Sequence, residues 1–204
     1  MKEIRQFRDF IKGEAIVVGC DPGTGEKNYS CAQFLSRKKL DVPLIYHTEK
    51  LATEMTNALY PILEQIYDIT GVEPLVAYER GNGGIFELTR LEGFNRRAKY
   101  KIFIMPGKDH IGWDTNTATR PKMLSELKEA IDKRLIAVYD QVTIEELFAF
   151  IISKTGKAKA EKGAVDDAVM ALAIAWQLHV CTPLETDNSA IYNNAPRPVG
   201  GYGG

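Results

Sequence analysis

Three acidic positions sit at points in the chain where a fold could bring them together. Asp21 follows the apolar run AIVVGC, Glu79 follows PLVAY, and Asp166-Asp167 opens a long apolar segment. Crowded carboxylates repel one another, and some stay protonated unless a cation neutralises them. Hard oxygen donors with no His or Cys among them select Mg²⁺ or Mn²⁺ over zinc. Two such ions roughly 4 Å apart would hold a phosphodiester, one activating the attacking water and the other stabilising the leaving oxygen. Each acid also has an ordinary use: Asp before Pro-Gly is turn chemistry, and acids at a helix start serve capping and the macrodipole. Their joint placement is what points to a metal site.

That placement depends on the elements between them. Residues 15–20 are apolar without interruption, as in a strand buried on both faces, and Asp21-Pro22-Gly23-Thr24-Gly25 imposes a turn. Residues 29–35 resume as a hairpin partner, and 44–47 fit a third strand. Helical periodicity runs from Leu51 to Thr70 and stops at Gly71. Residues 74–79 read as a fourth strand, followed by a helix to about Phe94 and a fifth strand at 102–105. Helices follow at 119–134, where Pro121 occupies the first turn, and at 143–153, with a short extra strand expected at 136–139. Residues 165–180 are apolar nearly all round, so this helix must be packed on several sides. Residues 1–13 read as an amphipathic lead-in, with Ile4, Phe7, Phe10 and Ile11 at helical spacing.

This order predicts an α/β fold: a mixed sheet of order 3-2-1-4-5, its second strand antiparallel, with helices on both faces. The first and fourth strands lie parallel and adjacent, so their ends, roughly 5 Å apart, carry Asp21 and Glu79 to one edge. Ligands of open α/β sheets bind in the crevice beyond strand ends. Residues 1–181 are expected to form one domain and 182–204, rich in Asn, Pro and Gly, a flexible tail.

Composition narrows the class. The chain has 204 residues, is 45% hydrophobic and carries a net charge of −1, with a pI near 6.3. It is long enough for one good core and lacks the global basic signature of a nucleic-acid coat. DNA contacts must then come from local patches: Arg96, Arg97, Lys99 and Lys101 in one, and Lys154, Lys157, Lys159 and Lys162 in another, just before the acidic pair. The three cysteines, Cys20, Cys31 and Cys181, form no CxxC pair and indicate neither a disulfide framework nor structural zinc. No apolar run is long enough to span a membrane. Gly23-Thr24-Gly25-Glu26-Lys27 lacks the spacing and the Ser or Thr of a phosphate-binding loop, so no ATPase motif is present.

With these residues placed, the sequence resembles the nuclease domain of tailed-bacteriophage large terminase subunits. Gly19–Gly25 with Asn28-Tyr29-Ser30 matches the first acidic motif, Val76–Gly84 the second and Gly163–Leu172 the third. Gly112-Trp113-Asp114-Thr115-Asn116 and Thr119-Arg120-Pro121-Lys122 resemble the GW-T-N and T-[KR]-P segment, and Ile144-Glu145-Glu146-Leu147 the helix before the basic loop. The resemblance covers about residues 14–180 and implies an RNase H-like fold. It also implies a metal-dependent endonuclease that cuts concatemeric viral DNA during packaging in the cytoplasm of the infected bacterial host. On this match Asp21, Glu79 and Asp167 would be core ligands of one or two Mg²⁺ or Mn²⁺ ions, and Asp166 an auxiliary ligand or cap. Arg120 and Lys122 would join the two basic clusters in holding double-stranded DNA. The ATPase motor, the small terminase subunit and the portal would be partners. Asn28 stands where many relatives have Asp, and Val165 where many have His, which implies that a second ion depends on bound DNA. Two alternatives stay open: a cellular RNase H-like nuclease such as a Holliday-junction resolvase, and a catalytically silent DNA-gripping or docking module.

Overall fold

Strand β2 (Ile16–Asp21) is the centre of the molecule, and all six of its residues are buried. In the computed structural model, which describes residues 3–25, 28–151 and 166–183, it is flanked by β3 (Ser30–Ser36), antiparallel, and β5 (Leu75–Tyr78), parallel. The described sheet has six strands in the order β1-β4-β3-β2-β5-β6, with β1 (Ile4–Gln6) and β4 (Leu44–Thr48) on one side and β6 (Lys101–Ile102) on the other. The helices are α1 (Ala52–Thr70), α2 (Gly84–Phe94), α3 (Thr119–Asp132), α4 (Gln141–Ile151) and α5 (Asp167–Cys181). The five expected strands thus appear in the expected order, with β1 added at the edge.

Strand periodicity sorts side chains to opposite faces. Ile16, Val18 and Cys20 of β2 pack with Met55, Leu59 and Leu63 of α1 and Leu88 and Leu91 of α2. Val17 faces the other way, into a core built from α3, α5 and Trp113. Gly19 shares that second face, and a Cβ added there would stand 2.2 Å from the Ala171 carbonyl oxygen and 2.3 Å from the Ala175 nitrogen. Helix α5 therefore lies directly on the backbone of β2, a contact only glycine permits. Every residue of α5 from Asp167 to Leu178 is buried, as its all-round apolar sequence requires.

Two expectations are corrected. The lead-in is not helical: Ile4–Gln6 pairs antiparallel with β4, and of its apolar residues only Phe10 is buried, while Ile4, Phe7 and Ile11 are exposed. Its spacing imitates a helix, but a charged network holds the segment. Arg8 donates to Asp41 at 2.5 and 2.6 Å and to Glu14 at 2.6 Å, and the Ser36 hydroxyl donates to Glu14 at 2.6 Å. Residues 136–139 make only an isolated bridge, Ala137 to Asp41, and no full strand.

Burial pushes the Glu14 carboxyl up, but Arg8, Ser36 and the Ile11 N–H together hold it below its ordinary value; Arg8 and Tyr139 do the same for Asp41. Carboxylates depressed in the folded state add stability above their unfolded pKa and lose it as pH falls through the folded one. Urea midpoints should therefore decline as pH drops below about 4. Ser36→Ala should cost about 1 kcal/mol at neutral pH, and an unchanged midpoint would show that this network carries no stability.

Candidate functional site

The register of β2 against β5 decides where the acids fall. Gly19 pairs with Ala77 across the parallel ladder, so Asp21 and Glu79, two residues further along each strand, are neighbours on the face covered by α5. The Glu79 N–H donates to the Cys20 carbonyl at 2.8 Å, which extends the ladder to this point. Beyond Asp21 the chain turns sharply: the Gly23 N–H donates to the Ser30 hydroxyl at 3.0 Å, and a Cβ on Gly23 would lie 2.3 Å from the Asn28 carbonyl oxygen. Beyond Glu79, α2 starts so close that a Cβ on Gly84 would lie 1.9 Å from the Glu79 carbonyl oxygen. Glycines let the chain bend away from both acids within a few residues.

The third acid arrives on α5. Ala171 and Ala175, the residues that meet Gly19, share a stripe with Asp167 at four-residue spacing. One helical turn is about 5.4 Å and two strand residues about 6.6 Å. Asp167 therefore reaches the level of Asp21. Its carboxylate accepts the Tyr29 N–H at 2.9 Å, which anchors it to the end of the β2–β3 hairpin.

The electrostatics agree with this convergence. Asp21 is 7% exposed, and burial pushes its carboxyl well above the ordinary range, followed by a shared hydrogen bond with Glu79 and the charges of Glu79, Asp167 and Asp166. Asp167 rises to about 6, chiefly through burial, with Asp166 and Glu79 adding to it against the Tyr29 N–H. Among the described residues no cation stands against Asp21, Glu79 or Asp167 in an ion pair.

Asp166 is held differently. It is the N-cap residue of α5 but makes no capping hydrogen bond from its side chain. Instead the Arg120 guanidinium donates to it at 2.5 Å. Arg120 is presented by the first turn of α3, where the Asn116 side-chain oxygen accepts the Ala118 and Thr119 N–H groups at 2.9 and 3.0 Å. The GW-T-N and T-R-P segment is thus a capped helix start that carries Arg120 to the acids. Lys122 points to solvent two residues on, within 3.8 Å of Glu126.

The other basic candidates lie elsewhere. Arg96 and Arg97 are exposed beyond the far end of α2, about 16 Å of helix from Glu79. Lys99 pairs with Asp68 and Lys101 with Glu73. Lys154, Lys157, Lys159 and Lys162 lie outside the described residues, as does the expected tail beyond 183. Asn28 spends its amide on the Thr24 hydroxyl at 3.2 Å.

One residue of the site lies in the matched Ile144-Glu145-Glu146-Leu147 segment, to which the sequence assigned no site role. Glu146 of α4 is 8% exposed, and its carboxylate accepts the Ala168 and Val169 N–H groups at 2.9 and 3.1 Å. Burial, then the charges of Asp167 and Asp166, push it to about 8 against those two N–H bonds.

Solved structures share this architecture. The large terminase nuclease of thermophilic phage G20c with bound magnesium superposes with a TM-score of 0.65 at 19% identity, over 87% of this chain and 88% of that one. The large terminase nuclease domain of Thermus phage P74-26 gives 0.64 at 18% identity, over 87% and 86%. The fold is that of a large terminase nuclease. The G20c nuclease has also been solved with bound cobalt and with bound zinc, at TM-scores of 0.63 and 0.60. No protein-family profile and no curated protein sequence matches the chain. No described helix is long and apolar enough to cross a membrane.

A divalent cation suits the donor set of this fold in the present chain. Among the described residues no group of three or more His, Cys, Asp or Glu side chains is arranged to hold a metal ion. The candidate ligands are nonetheless all carboxylate oxygens, and burial together with the charges of Glu79, Asp167 and Asp166 raises the Asp21 carboxyl. Hard, oxygen-seeking cations replace protons in such sites.

Proposed function

We propose that this chain is a divalent-metal-dependent DNA endonuclease acting as the nuclease domain of a phage large terminase, with residues 1–181 as its domain. The observation that carries this reading is the meeting of Asp21 and Glu79 on adjacent strand ends beneath the first turn of α5, in a fold shared with terminase nucleases. Asp21, Glu79 and Asp167 hold the metal, Mg²⁺ or Mn²⁺, as one or two ions. When bound, the ions supply Lewis-acid activation of water and stabilisation of the leaving oxygen in phosphodiester hydrolysis.

The protein's own groups do the positioning. The Tyr29 N–H fixes the Asp167 carboxylate, and Gly23 and Gly84 let the chain turn tightly after Asp21 and Glu79. Asp166, engaged by Arg120, serves as an auxiliary ligand. Arg120 is placed to exchange that carboxylate for a DNA phosphate, with Lys122 and the lysines at 154, 157, 159 and 162 as further phosphate contacts. Double-stranded DNA is the substrate. A terminase motor, small subunit and portal are the partners, in the cytoplasm of the infected host.

The test is to incubate supercoiled, linear and four-way-junction DNA with the protein in Mg²⁺ or Mn²⁺. Cutting of supercoiled and linear DNA that vanishes in folded Asp21→Asn, Glu79→Gln and Asp167→Asn variants is expected. Selective cutting of junctions would instead favour a resolvase, and no cutting with either metal would leave a gripping module. Arg120→Ala should weaken DNA binding similarly across sequences and reduce the slope of log K against log salt by about 0.9. An unchanged slope would remove Arg120 from the DNA contacts.

A further inference from the structure

We infer that Glu146 is the positioning residue of the metal site, setting the register of the first turn of α5 and through it the location of Asp167. This rests on the reading that Asp21, Glu79 and Asp167 bind the metal. The first N–H groups of a helix have no partner within it, and a side chain at the N-cap commonly supplies one. In α5 the N-cap is Asp166, whose carboxylate is committed to Arg120 and makes no capping bond. Glu146 takes that task from a different helix, one oxygen accepting both the Ala168 and the Val169 N–H. Those amides immediately follow Asp167, so the bond pins the peptide units that carry its carboxylate.

Its surroundings hold Glu146 rigid. Thr143, one turn earlier on α4, donates from both its N–H and its hydroxyl to Asp140 at 2.9 Å and accepts from Gln33 of β3 at 2.8 Å. Gln33 reaches on to the Ala168 carbonyl at 3.2 Å. The same α5 residue is thus gripped at its N–H by Glu146 and at its carbonyl by Gln33. Partners that orient metal ligands in this way typically contribute about 10–100-fold to metal affinity.

The geometry separates reach from charge. Glu146→Gln keeps an oxygen at the same reach and removes the titratable carboxyl; Glu146→Asp keeps a carboxyl but is one methylene too short to reach both amides. Mn²⁺ binding, measured by electron paramagnetic resonance below the melting temperature of each variant, should stay within about threefold of wild type for Glu146→Gln and weaken by about 10–100-fold for Glu146→Asp. In DNA cutting, Glu146→Asp should lose kcat at saturating Mn²⁺ with KM for DNA little changed. The reverse order, Gln impaired and Asp intact, would overturn the inference by making Glu146 a direct charge partner of the metal. Wild-type affinity in both variants would overturn it too, while leaving the metal site standing. Absence of Mn²⁺ binding in the wild type would instead bring down the metal reading itself, and this inference with it.

Discussion

Asp21→Asn is expected to melt at a higher temperature than the wild type in EDTA and to lose about 10³-fold or more of the cutting rate. Both effects have one cause. Asp21 is buried against Glu79 and Asp167 and near Asp166, and its carboxyl is forced well above the ordinary range. An unfolded Asp is free of that burden, so near neutral pH the folded state bears a cost that the neutral amide removes. For a domain of this size each kcal/mol relieved raises Tm by about 2–4 °C. The same charge would bind the metal, and metal stabilisation of a phosphoryl transition state is worth several kcal/mol, hence the thousandfold loss.

A thermal melt series checks it. Wild-type protein should gain about 2.7 kcal/mol in Mn²⁺ at a hundredfold excess over Kd, whereas the variant should gain almost nothing. A variant that melts lower in EDTA, or still responds fully to Mn²⁺, would remove Asp21 from the metal site. The pH dependence has a definite sign. Asp167 is raised from 3.8 to about 6 in the folded protein, so its protonation adds stability that is complete below pH 3.8 and lost as pH rises through 6. Glu14 and Asp41 run the opposite way, and the two groups of acids pull the acid limb of the stability curve in opposite directions.

The second large effect is expected at a residue with no chemistry of its own. Gly19→Val should cost about 3 kcal/mol or more, since even a lone Cβ would sit 2.2 Å from the Ala171 oxygen and 2.3 Å from the Ala175 nitrogen. Both are backbone atoms, so relief requires α5 to move off the sheet. The displacement is transmitted along the helix to Asp167, and metal affinity should fall in whatever folded fraction remains. Urea denaturation and Mn²⁺ titration on the same sample check both parts; a Gly19→Val protein of wild-type stability would mean that the close approach of α5 to β2 is not required.

Much of the site is legible in the chain because it follows from local periodicity. The unbroken apolar runs before Asp21 and Glu79 mark strands buried on both faces, and the turn residues after each acid mark their ends. The all-round apolar character after Asp167 marks a helix enclosed by other elements. What escapes the sequence is held by long-range partners. The three residues of β1 have no pattern of their own and become a strand only because β4 offers an open edge. Glu146 looks like any acid in an amphipathic helix, since the amides it caps lie 22 and 23 positions away. The Arg120–Asp166 pair spans 46 positions; only its geometry shows that Asp166 is engaged by a guanidinium while Asp167 is not.

The place of α5 in the chain has a consequence for how the protein comes into being. The proposed metal centre needs strands from the first eighty residues and a helix that begins only at residue 167, so a chain emerging from the ribosome carries Asp21 and Glu79 long before Asp167. Until α5 packs against β2, the growing chain holds these acids apart and has no assembled carboxylate cluster.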